Sequence, residues 1–388
     1  MKLLHTSDWH VGRTLRGMSR ADEHRRVLAE IVAAASEHAV DLVLVTGDLF
    51  DTAAPSPEAE QIVYRALLDL EATGAQVIVL AGNHDSARRL EAVAPLLHRG
   101  RVTVRTSWLA PEAGGVIDVE CADGIVAQVG CLPFISQKNV LRGDELMGNT
   151  AAGLSGEYSA VVRGLVQMLT AAFRPGTVKV VAAHLFAHGA TAGGSERTAH
   201  IADGYAVPFD VFPPSLHYVA LGHLHRPQAV GGPTVRYAGA PLQLDFGEAG
   251  EAKSVAVVEA IPSNPARVTL VPLVAGRQLA QIEGSLDQLR SRVGTTADAH
   301  LKVVVRDHTR AGLAEEIREL FPHCIDVLVA PPVGSEADQH PKPERQGRSP
   351  TDLFAAYLEE NLARDDRVQQ LFEVLLDAES AGGLTGAP

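Results

Sequence analysis

The chain has 388 residues, of which 46% are hydrophobic and 21% charged, and its formal net charge at pH 7 is −13. This is the composition of an ordinary globular protein, long enough for a full core plus one or two smaller units. The acidic balance argues against gripping nucleic acid by bulk electrostatics, but leaves room for local basic patches or a metal centre that attracts phosphate.

Lys2 to Thr6 reads as a short first strand, with Asp8 and His10 in its exit loop. Five arginines, among them Arg13, Arg16 and Arg20, lead into a helix that runs to about His38. They are either a solvated face or, following a ligand loop so directly, in part phosphate contacts. Leu42 to Val45 is an apolar, β-branched run ended by Thr46-Gly47, and Asp48 stands where the chain leaves the sheet. Ser56-Pro57-Glu58 opens a helix to about Glu71, followed by a strand from Gln76 to Leu80 and the loop Gly82-Asn83-His84-Asp85.

Short β-like runs occupy residues 101–135, and Ser136 to Glu157 reads as a surface loop. A helix over Ser159 to Ala172 precedes a strand from Val178 to Ala182, with His184 after it. Val219 to Leu221 is another buried strand, ending in Gly222-His223-Leu224-His225. Residues 237–241 and 254–259 read as closing strands. The texture changes near residue 276, where three strands and two helices make a small α/β unit over 276–332. Residues 333–350, rich in Pro, Gly and charge, form a linker. Residues 351–378 keep helical apolar spacing, with Leu353, Phe354, Tyr357 and Leu358 at its start.

No apolar run approaches the ~18–20 residues of a membrane helix, and the first eight residues turn polar too soon for a signal peptide. Cys121, Cys131 and Cys324 show no CxxC spacing, so free thiols and a cytoplasmic setting are expected.

The chemistry lies in repetition. One Asp after a strand is usually a cap or turn residue. Here Asp8, His10, Asp48, Asn83, His184, His223 and His225 all stand at strand ends, where open α/β folds keep their ligand sites. Imidazole, carboxylate and amide oxygen without thiolate suit two divalent ions, Mn²⁺ or Fe²⁺, and Zn²⁺ also fits. Asp48 is central enough to bridge them. Such a pair lowers the pKa of water from ~15.7 toward ~7 and neutralises phosphate charge. His84, with Asp51 as its orienting carboxylate, is the candidate acid for the leaving oxygen.

These residues resemble the calcineurin-like metallophosphoesterase pattern in order and completeness. Thr6-Ser7-Asp8-Trp9-His10-Val11-Gly12-Arg13, Leu80-Ala81-Gly82-Asn83-His84-Asp85 and Ala220-Leu221-Gly222-His223-Leu224-His225-Arg226 narrow the resemblance to the bacterial SbcD family of nuclease subunits. It implies a layered α/β/β/α sandwich over residues 1–275, a small α/β capping domain, and C-terminal helices. One metal would take Asp8, His10, Asp48 and His225, the other Asp48, Asn83, His184 and His223. His84 would stabilise the transition state or act as acid. The resemblance also implies DNA as substrate and a homodimer within a heterotetramer. In that assembly the tail helices would dock on the coiled coil of an SbcC-type ATPase. Ala240 stands where relatives often have Ser, which puts one hydroxyl contact in doubt.

A nucleotide phosphodiesterase or protein phosphatase explains residues 1–275 equally well, but leaves the small domain and tail unused. A non-catalytic scaffold on this fold should have lost ligands, and none is missing.

Overall fold

The computed structural model describes residues 1–136, 154–196, 206–330, 351, 354–355, 357–358 and 367–372. Its strands are β1 Lys2–Thr6, β2 Thr14–Leu15, β3 Met18–Ser19, β4 Leu42–Val45, β5 Gln76–Leu80, β6 Val102–Arg105, β7 Val116–Glu120, β8 Val126–Leu132, β9 Val178–His184, β10 Tyr218–Gly222, β11 Gln228–Ala229, β12 Val235–Tyr237, β13 Lys253–Ile261 and β14 Asn264–Leu273. The helices among them are α1 Ala21–Glu37, α2 Pro57–Ala72, α3 Ala87–Leu97 and α4 Leu154–Ala171.

Two six-stranded sheets result, ordered β14-β13-β1-β4-β5-β6 and β11-β12-β10-β9-β8-β7. In the first, β1, β4, β5 and β6 are parallel; in the second, β8, β9, β10 and β12 are. Parallel strands need cover on both faces, and period-two alternation supplies it. Val43, Val45, Val77 and Val79 face the layer with α1 and α2, while Leu42, Leu44, Ile78 and Leu80 face the second sheet. Val181, Ala183, Val219 and Leu221 pack with α4, while Val180, Ala182 and Ala220 turn to the first sheet. Three apolar layers between four structural ones make the expected α/β/β/α sandwich.

Helix starts follow local chemistry. Ser56 caps α2 by accepting from the Ala59 N–H, with Pro57 at the first helical position, and Ser86 caps α3 from the Arg89 N–H.

Three local expectations need correction. His184 is the last residue of β9 rather than part of the loop after it. The helix α4 begins at Leu154, inside the expected surface loop. β14 was not expected as a strand; it is a sheet edge, where Pro265 and Pro272 are tolerated because one side needs no ladder bonds.

The chain divides into two compact units, residues 1–280 with 298–300, and residues 281–297 with 301–388. A further three-stranded sheet has β15 Leu279–Gly284, β16 His300–Arg306 and β17 Cys324–Ala330 in that order, with α5 Leu286–Arg290 and α6 Leu313–Leu320. The linker at 333–350 and Leu353 lie outside the described residues. In the tail, Phe354 stacks on Phe372 with ring centroids 4.0 Å apart, Leu358 is buried at 6% exposure and Tyr357 stands out at 58%. Leu358 packs within its own chain, which corrects its place among the partner anchors. No described helix is long and apolar enough to cross a membrane.

Candidate metal centre

The parallel strands of both sheets deliver their carboxyl ends to one rim, and five exit points meet there. Loop 7–10 is laced to loop 47–51 by main-chain bonds, Asp8 N–H to Gly47 O and His10 N–H to Asp48 O, each 3.0 Å. Asp8, His10, Asp48 and His223 all have positive φ, at 52°, 45°, 51° and 107°. Left-handed backbone in non-glycine residues costs energy and persists where the surroundings over-determine it. Those surroundings are the carboxylates themselves. Asp8 takes the His223 N–H on both oxygens at 3.0 and 3.1 Å, and Asp48 Oδ1 takes the His84 N–H at 2.8 Å. Gly82 must be glycine, because a Cβ there would collide with the amide and carboxylate of Asp48.

Three ligand groups form, all buried: Asp8 with His10 and His225; His10 with Asp48 and His84; Asp48 with His184 and His223. Asp48 Oδ2 lies 3.6 Å from His10 Nε2 on one side and 3.5 Å from His184 Nε2 on the other. Asn83 Oδ1 is 2.9 Å from His184 Nε2 and 2.8 Å from His223 Nδ1. The described free thiols, Cys121, Cys131 and Cys324, belong to none of these groups.

The residues fit metal ions on one direct test. Both ring nitrogens of buried His10 lack a hydrogen-bond partner, a costly state unless something else takes them up. Burial pushes the His10 pKa down to about 4 and lowers that of His184, so these rings are held neutral, the form that ligates. Burial and the neighbouring Asp48 charge raise Asp8 well above the usual carboxylate range. At Asp48, burial pushes upward too, but His184, His84 and His10 outweigh it and hold the group low. Two carboxylates with such opposed tendencies are what a site short of positive charge displays.

Residues 1–227 match the family model described as calcineurin-like phosphoesterase. The chain is 33% identical to the SbcD subunit of the SbcCD nuclease of Bacillus subtilis, over 84% of this chain and 85% of that protein. It is 38% identical to the corresponding nuclease subunit from Rhodobacter capsulatus (74% and 76% covered) and 32% identical to the one from Escherichia coli K12 (75% and 74%). The chain belongs to the calcineurin-like phosphoesterases, among the SbcD nuclease subunits. It is a metal-dependent hydrolase of phosphodiester bonds.

Not every sequence expectation for this phosphoesterase survives the geometry. Arg20 is 1% exposed; its guanidinium forks onto Glu23 at 3.1 and 2.8 Å and reaches the Gln243 carbonyl. A buried, satisfied arginine does not reach DNA, so Arg20 is structural. Arg13 is half-buried and bonds Asp51 Oδ1 at 3.0 Å, while exposed Arg16 lies 5.8 Å from the Phe246 ring centre. The Asp51 carboxylate does not orient His84. It lies 3.6 Å from His10 Nδ1 and beside Arg13, and those partners outweigh burial to hold its pKa near 2. His84 Nδ1 faces the Asp51 main-chain carbonyl at 2.7 Å instead.

Other functional residues of the phosphoesterase escaped sequence reasoning. Asp85 ties two ligand loops together, accepting from Gly82, Phe50 and Leu49 N–H groups at 2.9, 3.1 and 3.3 Å. Its only signal was a place beside His84. Glu196 and Glu248 flank His225, the latter held to about pKa 2 because His225 and Lys253 outweigh its burial. Nothing near them in sequence announces that.

Proposed function

We propose that the chain is the nuclease subunit of an SbcCD-type ATP-dependent DNA repair and recombination complex, a two-metal DNA phosphodiesterase with double-strand exonuclease and single-strand or hairpin endonuclease activity. One ion would take Asp8, His10, Asp48 and His225, and the other Asp48, Asn83, His184 and His223. Mn²⁺ suits this thiol-free set of oxygen and imidazole donors. The observation that carries the reading is the Asp48 carboxylate between His10 and His184, at 3.6 and 3.5 Å, where one side chain can serve two ions. When bound, such ions lower the pKa of water and offset phosphate charge.

The chain's own groups do the rest. His84 keeps its Nδ1 on the Asp51 carbonyl, which leaves Nε2 to hold or give a proton at the departing oxygen. Asp51, bonded to Arg13 at 3.0 Å, lies 3.6 Å from Nδ1 of His10. Arg16, exposed at the rim, contacts a phosphate of the incoming strand. The ATPase partner and a homodimer of this subunit complete the assembly, with the tail docking on the partner's coiled coil.

The test compares Mn²⁺-dependent cleavage of DNA hairpins and duplex ends with hydrolysis of a small phosphomonoester. DNA cleavage at rates far above the monoester reaction supports the reading. Efficient monoester hydrolysis with intact DNA would make the chain a phosphatase.

A further inference from the structure

His225 is held at three atoms by residues that are no part of the ligand set. Its N–H donates to Glu196 Oε1 at 3.0 Å, and its carbonyl accepts from Lys253 Nζ at 3.0 Å. Its ring Nδ1 lies 2.6 Å from Ser195 Oγ and 3.2 Å from Glu248 Oε1. Ser195 Oγ also bonds Glu248 Oε1 directly. Glu248 is 0% exposed, and its other oxygen accepts from Lys253 Nζ at 2.7 Å and from the Leu244 N–H at 3.2 Å.

We propose that Ser195, Glu248 and Lys253 form a positioning relay that fixes the ring tautomer of His225 and thereby the affinity of the ion it holds. The relay rests on the two-ion reading above. Its direction follows from donor and acceptor capacity. An ionised carboxylate only accepts, so the Ser195 hydroxyl donates to Glu248 and has its lone pair left for a donor. That donor is His225 Nδ1–H. The proton therefore sits on Nδ1, which leaves the lone pair on Nε2 for the ion that His225 would share with Asp8 and His10, its partners in the ligand group. Lys253 supplies the counter-charge without which a buried carboxylate is strongly unfavourable.

Two other rim histidines do without such a device. His184 Nδ1 faces the Thr46 carbonyl at 2.7 Å, and His84 Nδ1 faces that of Asp51. Main-chain carbonyls set those tautomers whatever the side chains are. At His225 the same task falls to side chains that lie 30 and 23 residues away in sequence. Partners of this kind typically alter metal affinity by 10–100-fold when removed.

Calorimetric titration of the full chain with Mn²⁺ tests the relay, using wild type, Ser195→Ala, Ser195→Thr and Glu248→Gln. Wild type should take up two ions. Ser195→Ala and Glu248→Gln should bind one of them about 10–100-fold more weakly and the other unchanged, while Ser195→Thr, which keeps the hydroxyl, restores the lost affinity. Long-range ¹H–¹⁵N spectra of the metal-free protein should show His225 protonated on Nδ1 in wild type and a tautomer mixture in Ser195→Ala. Wild-type affinity for both ions in Ser195→Ala, or an Nε2-protonated His225 in wild type, overturns the relay. Failure of the wild type to bind Mn²⁺ overturns the two-ion reading and the relay with it. Should Glu248→Gln fail to fold, Ser195→Ala decides alone, because it leaves the Glu248–Lys253 pair in place.

Discussion

The ring Nδ1 of His84 lies 2.7 Å from the main-chain carbonyl oxygen of Asp51. A carbonyl can only accept, so His84 donates from Nδ1 and presents Nε2 to the rim. No substitution at Asp51 deletes that carbonyl.

His84→Gln should therefore retain metal and DNA binding while losing roughly 10²–10⁴-fold in cleavage rate, the usual worth of a positioned acid or base. Asp51→Asn, which leaves the carbonyl in place, should lose less. Metal analysis and single-turnover kinetics check both. Because His84 also groups with His10 and Asp48, a His84→Gln protein that drops an ion would make His84 a ligand and end its assignment as acid.

Acid sensitivity should trace in part to His5. This buried ring sits between Tyr218 Oη at 2.9 Å and Thr46 Oγ1 at 3.0 Å, and burial, helped by the Arg236 charge, lowers its pKa to about 3. The unfolded chain binds a proton near pH 6.5 and the folded one does not until about pH 3. Between those values the unfolded state holds more protons, so stability falls as pH falls, by up to about 1.4 kcal/mol per unit. Denaturant unfolding of wild type and His5→Gln should give a stability difference that narrows from pH 7 to pH 4.5. A difference independent of pH would remove His5 from the account.

The proposed homodimer calls on α2 and α3. Leu67 and Leu97 are buried in the chain's own core, whereas Leu68 and Leu96 are exposed. A charge at the exposed pair should split a dimer without unfolding the monomer. Sedimentation of Leu68→Glu/Leu96→Glu should show monomers where wild type at micromolar concentration shows dimers; a monomeric wild type contradicts the proposal.

For the tail, exposure now selects the residues. Tyr357 and Leu371 face outward while Leu358 is buried and Phe354 stacks on Phe372. Aromatic anchors at interfaces cost about 2 kcal/mol or more when truncated, so Tyr357→Ala should weaken association with the ATPase about 30-fold. Mn²⁺-dependent cleavage by the isolated subunit should be unchanged. Equal capture of the ATPase by wild type and Tyr357→Ala would place the docking surface elsewhere.

The ligand loops were legible because each joins an apolar run to its polar exit within a few residues, as Leu42 to Asp48 does. Their convergence was legible from repetition. What escaped depends on contacts far apart in sequence or on the main chain. Arg20 read as part of a solvated or phosphate-binding face because, although Glu23 is three residues on, the Gln243 carbonyl that completes its burial lies 223 residues away. The orienting partner of His84 was sought among carboxylates because a carbonyl leaves no mark in a sequence. Ser195 and Glu248 lie 53 residues apart in the sequence and meet only in the fold.

Metal content of a folded Asp48→Ala protein tests the central claim most directly. Asp48 Oδ2 stands between His10 Nε2 at 3.6 Å and His184 Nε2 at 3.5 Å. If that carboxylate bridges two ions, one substitution removes both, and equilibrium dialysis against Mn²⁺ should find none retained where wild type holds two. Two ions bound to folded Asp48→Ala would contradict the shared-ligand centre.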